Sequence, residues 1–510
     1  MPVRNGPLER SQKQLYLAVK KELAPYERSK RRELALYERA FRKGLPKKIR
    51  TSTRHALLTA IDAAQVVLVG DFHPFRQSQK GFIRLVESSK KKRGRAVIAL
   101  ECFRQNRQEA IDQFLAGYIT LEELREETDF DAHWPFPWEN YREVLRLARR
   151  DRIPVIALNA PGTLRARDEA AAARLKRQLD FQPAATIFTL FGELHLGRDH
   201  LPRALKKVRI VVVHQNDADL YWNAPTLSDG QKPEVVRLGA GEFCILNSVP
   251  WVKLRSYLDW LEGNPTPDFE HDHVDATGLV HHYARLLSEA SGIANPIDQA
   301  VEILPPDRLT RRAPALRDLG SPDLALASHA LRFRRTGYLP RRGAIALPAV
   351  STNSMLEAAS HLLRHSSRKP LSARVRWGSD DFLAHFFLGY LGSKLLNPKR
   401  KCDEVPDLLR RAAKQDAVAA RALAFLRPLL KSEKVAGKQP RLDAAQTVDA
   451  TRSAGFVLGD RYFRALLRGK GNLKEVRKLF STPAAKPILR VAARRIAQAR
   501  VAAAGKADQF

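Results

Sequence analysis

The sequence predicts an α/β protein: a mostly parallel sheet with helices on both faces, followed by an all-helical C-terminal region. Three observations predict it. Short apolar runs alternate with amphipathic stretches across residues 56–250, the pattern of strands joined by crossover helices. From about residue 296 the chain turns to Ala- and Leu-rich helical segments separated by Pro and Gly. The charge changes at the same places. Residues 1–55 hold 16 Lys and Arg against 5 Asp and Glu, a net of +11. Residues 56–295 are nearly neutral at −1, and residues 296–510 carry +23 of the total +33.

In order, residues 1–55 read as a basic helical N-terminal arm packed on the main domain. Leu15, Leu17, Val19 and Leu23 form one apolar set interrupted at Pro25, and Leu34, Leu36, Tyr37 and Phe41 form a second. The strand candidates of the 56–250 domain are 66–69, 96–100, 154–158, 185–191 and 209–213. Each is short, apolar and rich in Val, Ile or Leu. Runs at 234–238 and 242–247 are expected to add an antiparallel edge. Residues 251–295 read as a helical connection with a polar, acidic spot at Asp268–His273. The 296–510 region is expected to be basic and all-α, with helices near 322–333, 354–364, 381–396, 404–429, 442–468 and 473–500.

A chain of 510 residues is long enough for two or three domains. Three cysteines without a CxxC pair make no disulfide framework and fit a reducing compartment. The first residues lack the apolar core of a signal peptide, there is no lipobox, and no apolar run reaches the length of a membrane span. These features together predict a cytoplasmic protein. The sequence has no Gly-x-Ser-x-Gly elbow, no Walker loop and no Rossmann glycine triplet, which argues against the chemistries those motifs serve.

The candidate site lies just past the strands. In a parallel sheet, functional groups gather beyond the carboxyl ends. Val66–Val69 is followed by Gly70, Asp71 and His73, and Thr186–Phe191 by Gly192, Glu193 and His195. The other runs deliver Glu101, Asn159 and His214. Two imidazoles and a carboxylate suit a transition metal with open positions, so His73, His195 and Glu101 are candidate ligands. The other use of the same groups is acid–base work, with Glu101 as base. A single strand-end His is more often a satisfied polar residue, and His214, His271 and His273 are read that way. Cys102 is read as a buried thiol. The aromatic stretch Asp131–Tyr141 is either a loop closing over a ligand at the rim or a packed anchor for the next helix. An apolar lid of this kind suits a flat cofactor such as haem.

At Val67–His73, Ala99–Phe103, Gln108, Gly117, Trp138–Tyr141, Ile156–Pro161 and Gly192–His195 with Leu201-Pro202, the chain resembles the ChaN-like haem-binding family of the Tiki superfamily. That superfamily also holds TraB-type and erythromycin-esterase-like proteins. The resemblance spans roughly residues 60–250. It implies a mostly parallel α/β core with a site built from His73, Glu101 and His195. It further implies haem or iron handling for the ChaN branch and divalent-metal hydrolysis for the other branches. ChaN-like proteins are commonly exported lipoproteins and lack a long basic C-terminal region, and this chain departs from both features.

The first reading is therefore a haem- or metal-binding protein. Asp71, Trp138, Tyr141, Asn159 and Glu193 would surround the cofactor. The second is a metal-dependent hydrolase of esters or peptides, with Glu101 as the catalytic carboxylate. The third is a scaffold whose basic flanks contact nucleic acid or an anionic surface. A homodimer is left open.

Overall fold

The computed structural model describes residues 7–27, 32–46, 48–89, 95–227, 231–262, 276–293, 301–305, 308–309, 319, 322–349, 351–367, 377–430 and 441–507. The acidic spot at 268–273 lies outside the described residues. The chain forms two compact units, one of Tyr16–Leu227 with Lys232–Asp268, the other of Met1–Leu15, Ser228–Gln231 and Phe269–Phe510.

The first unit is built on an eight-stranded sheet. Its strands are β1 (Arg50–Ser52), β2 (Val66–Asp71), β3 (Ala96–Arg104), β4 (Val155–Asn159), β5 (Thr186–Gly192), β6 (Ile210–Gln215), β7 (Val235–Gly239) and β8 (Glu242–Ile245). Their order is β1-β7-β8-β6-β2-β5-β3-β4. All the pairs from β8 to β4 are parallel. Among the described strands of this sheet, β7 alone runs opposite to the rest, antiparallel to both β1 and β8. The two late apolar runs thus part company: β7 is antiparallel, but β8 extends the parallel set beside β6. The three-residue β1, from the end of the basic arm, was not expected as a strand.

Alternation along the strands sends side chains to two cores. Val67, Val69, Ile98, Leu100, Phe188 and Leu190 face one core. There they meet the helices α3 (Arg54–Ala63), α4 (Arg76–Ser88), α5 (Gln108–Ala116) and α6 (Glu139–Arg150). Val66, Leu68, Val97, Ala99, Ile187 and Phe191 face the other core, covered chiefly by α7 (Leu164–Phe181) through Ala171, Ala172, Leu175 and Leu179. Helices therefore lie on both faces. The arm contributes the latter part of α1 (Pro7–Glu27) and α2 (Arg32–Gly44) to this unit, with Val19 and Leu23 packed on Leu258 of α8 (Pro250–Leu261).

The second unit is helical. Its longer helices are α9 (Ala276–Ser291), α10 (Asp323–Phe333), α11 (Thr352–Ser366), α12 (Ser379–Leu396), α13 (Val405–Ala413), α14 (Ala417–Leu430), α15 (Ala444–Leu467), α16 (Leu473–Ser481) and α17 (Ala485–Ala507). It also holds a small sheet the sequence reading lacked, of Gly337–Leu339, Ala344–Ala346 and Glu302–Leu304. Strands of three residues are too short to show a period of two. At the centre of the unit the buried Glu357 carboxylate accepts from Arg400 at 2.7 Å and Arg452 at 3.3 Å. Beside it His361 stacks on His385, ring centroids 3.9 Å apart and 4° from parallel. Among the described residues no helix is long and apolar enough to cross a membrane.

Candidate functional site

Three neighbouring strands, β2, β5 and β3, end side by side and deliver the site. β2 stops at Asp71, and the following turn presents His73. Its backbone carbonyl accepts from Asn140 Nδ2 at 2.9 Å, which fixes the turn. His73 Nδ1 lies 2.9 Å from Asp71 Oδ2. Asp71 is itself buried and held by Gln79 at 2.5 Å and by the Tyr141 hydroxyl at 2.8 Å. With Nδ1 committed to a carboxylate, Nε2 is left to face the cavity. Burial pulls the His73 pKa down, but the charge and hydrogen bond of Asp71, with Glu101 nearby, outweigh it and leave it raised.

A second dyad of the same form stands opposite. His195 Nδ1 lies 2.7 Å from Asp168 Oδ1 on α7, and the Tyr37 hydroxyl of α2 is 2.9 Å from the same nitrogen. Tyr37 also bonds to Asp168. Its ring stacks on His200 at 3.6 Å. Burial, reinforced by Asp168, pushes the Tyr37 phenol well above its ordinary value, so it remains protonated.

Glu101 sits between the dyads, 4.0 Å from His73 Nε2 and 3.8 Å from His195 Nε2. Its two oxygens are engaged, one by Arg167 Nη2 at 2.5 Å and one by the Gly192 N–H at 2.5 Å. Burial raises its pKa, but the two imidazoles, Arg167 and the Gly192 amide together hold it below the usual carboxylate range. Glu101 is therefore ionised, and as a metal ligand it would have to release one of those partners.

Gly192 lets these groups meet. A Cβ there would stand 3.1 Å from Glu101 Oε2, 3.2 Å from His73 Nε2 and 3.3 Å from His195 Cδ2. Gly192→Ala is expected to push the imidazoles apart, with a stability loss of about 1–3 kcal/mol from overpacking. Ligand binding should weaken by much more than the melting temperature change alone would suggest. Calorimetric melting beside a ligand titration checks both.

The site opens into a cavity of about 960 Å³. Its wall includes Trp134, Pro135 and Phe136 from the aromatic loop, and Leu254 and Tyr257 from α8. The arm adds Lys20, Leu34, Tyr37 and Arg42. Trp134 and Phe136 each stand 4.6 Å from the His73 ring. Asn159 and Glu193 line the cavity, with Glu193 paired to Lys253 at 2.5 Å. Trp138 does not line it: it is buried in the core against Phe130, 4.8 Å between ring centroids. Tyr141 sits behind Asp71 rather than on the wall. His214 Nε2 lies 3.1 Å from Glu242 Oε1 while its buried Nδ1 has no hydrogen-bond partner, so the residue is only half satisfied. Cys102 is buried, with its thiol pushed well above its ordinary value.

Residues 57–167 match the family described as haem-binding uptake, Tiki superfamily, ChaN. The match is a resemblance confined to this stretch of the 510 residues. The ChaN-like match takes in His73, Glu101 and Arg167 and ends one residue before Asp168. A solved structure described as cofacial haem binding to ChaN of Campylobacter jejuni is similar at 13% identity. It covers 33% of this chain and 90% of that chain, with a TM-score of 0.26. No curated protein matches.

Asp168, Arg167 and Tyr37 were missed in the sequence. Asp168 did leave a signal. It extends the buried stripe of Ala171, Ala172, Leu175 and Leu179 by one turn, and an acid on an apolar stripe needs a partner. Tyr37 gave none, because Leu34, Tyr37 and Phe41 read as an ordinary apolar face.

Proposed function

We propose that the ChaN-like unit binds haem at the carboxyl rim of its sheet, with the His73 imidazole as the iron ligand. The observation that carries this reading is the Asp71–His73 dyad opening into a 960 Å³ cavity with an aromatic wall. A carboxylate on one ring nitrogen fixes the tautomer and raises the basicity of the other, as in metal-ligating histidines generally. The residues fit the group: an oriented imidazole for iron, Trp134 and Phe136 for the apolar macrocycle, and the exposed Lys20 at the wall for its carboxylates, Arg42 being already paired to Asp217 at 2.7 Å. Bound there, haem would supply iron for transfer or redox chemistry, while this chain orients it and limits water. Titration of the full-length protein with ferric haem should give a saturable Soret shift. Absence of any shift at micromolar haem would refute the reading.

A second reading is a divalent-metal site serving hydrolysis, with His73, His195 and Glu101 as ligands. The convergence of both dyads beside Gly192 favours it. Against it, no group of three or more His, Cys, Asp or Glu among the described residues forms a metal-binding cluster. Elemental analysis of protein equilibrated with zinc or manganese separates the two readings, since only the second expects one tightly held ion per chain without porphyrin.

A further inference from the structure

The α16–α17 segment of the helical unit carries a charge imbalance that its own contacts do not absorb. Residues 468–499 hold nine Lys and Arg and a single acid, Glu475. That acid is taken by Arg495 in an ion pair at 2.5 Å. On α17 the buried side is Ala485, Ile488, Leu489, Ala492 and Ile496. Lys486, Arg490 and Arg494 are all exposed and follow one another at a spacing of four, so they share one face. Lys474 and Lys478 of α16 are exposed at the same spacing.

Like charges one turn apart repel, so such stripes cost helix stability. Solubility alone is served as well by mixed signs. A row of cations every turn, about 6 Å apart, instead suits a regular row of anions. Phosphates rise about 3.4 Å per nucleotide along one strand of a duplex, so every second one lies about 6.8 Å on, near enough to that spacing for long Lys and Arg side chains to reach.

A membrane surface fits less well. None of the exposed large apolar side chains falls between residues 468 and 499, so nothing there is placed to enter the acyl region. The same absence leaves no exposed aromatic ring in this stretch to stack on unpaired bases, which favours a duplex over a single strand.

We propose that the exposed faces of α16 and α17 bind the phosphate backbone of duplex nucleic acid, without sequence preference. The contact is electrostatic, so it should weaken steeply with salt. Each neutralised phosphate contributes about −0.9 to the slope of log affinity against log salt.

The test is fluorescence anisotropy of a labelled 20-base-pair DNA duplex with the full-length protein, from 50 to 200 mM salt. The comparison is the triple variant K486Q/R490Q/R494Q. All three side chains are exposed, so the fold should survive, and circular dichroism checks that it has. The expected result is tight binding by the wild type and a slope shallower by about 2.7 in the variant. Over that salt range the difference amounts to about a 40-fold change in relative affinity. Equal affinity and slope for variant and wild type would overturn the proposal. So would the absence of duplex binding at 50 mM salt. Preferential binding to phosphatidylserine vesicles that duplex cannot displace would overturn it as well, and would assign the stripe to a membrane.

Discussion

His73→Ala is expected to lower haem affinity by at least about 100-fold while the fold stays intact. The stability expectation follows from the hydrogen bonds left behind: Asp71 keeps Gln79 and Tyr141 as donors, so no buried carboxylate is orphaned. Asp71→Asn keeps the shape but weakens the hold on the ring. Second-tier carboxylates of this kind usually contribute 10–100-fold in metal affinity, so a loss in that range is expected. The partner dyad separates the two functional readings. If iron is held at His73 alone, His195→Ala and Asp168→Asn should cost less than His73→Ala. If a small cation is shared by both dyads, His73→Ala and His195→Ala should be equally damaging, and the double variant little worse than either. Soret titrations and bound-metal measurements on the four variants decide between them. Wild-type affinity for both ligands in every variant would mean that the dyads only tie the strand ends together.

The second large effect is expected in the helical unit. Glu357→Gln leaves the buried Arg400 guanidinium without its countercharge and leaves Arg452 with Asp449 alone. Removing one partner of a buried ion pair costs about 3–5 kcal/mol, so urea unfolding of this unit should shift to a clearly lower midpoint. Glu404→Gln, which removes an exposed partner of Arg464, should leave that midpoint nearly unchanged.

Acid should act on the same region. Burial pulls the His361 pKa down to about 3, so the folded protein refuses a proton that the unfolded chain accepts near pH 6.5. Its contribution is fully present above that pH and is lost as pH falls from about 6.5 toward 3. The slope is at most about 1.4 kcal/mol per pH unit. Glu357 has its pKa raised by burial but held low by Arg452 and Arg400, so its stabilisation also fades as pH falls through the folded value. His361→Phe should flatten the loss between pH 6.5 and 4.5. An unchanged pH profile in that variant would show that His361 does not titrate as argued.

The central strands were legible because each is a dense apolar run ending in a turn, and burial on both faces requires that composition. The position of His73, Glu101 and His195 was legible for the same reason: strand ends can be read when strands can. What surrounds them was not. Asp168 and Tyr37 reach His195 from helices 27 and 158 residues away in sequence, and no local pattern encodes such a pairing. Trp138 and Trp134 are equally aromatic in the sequence, yet one fills the core and the other lines the cavity. That choice depends on which way the Pro-interrupted loop turns. The basic arm reads as a solvated support in the sequence, because its apolar residues show only that it packs, not that it packs across a site.

The strand order has a consequence for how the protein is made. β5 lies between β2 and β3 but is synthesised long after both, its first residue being Thr186. Until it leaves the ribosome, the all-apolar Val66–Val69 has neither of its neighbours, β5 and β6, and Ala96–Leu100 is paired on one side only, with β4. Two exposed sheet edges of that composition invite pairing with other chains. The joining of β2 to β3 and the assembly of the ligand site are then one event, since β5 brings Gly192 and His195 with it. A nascent chain paused before residue 186 has neither.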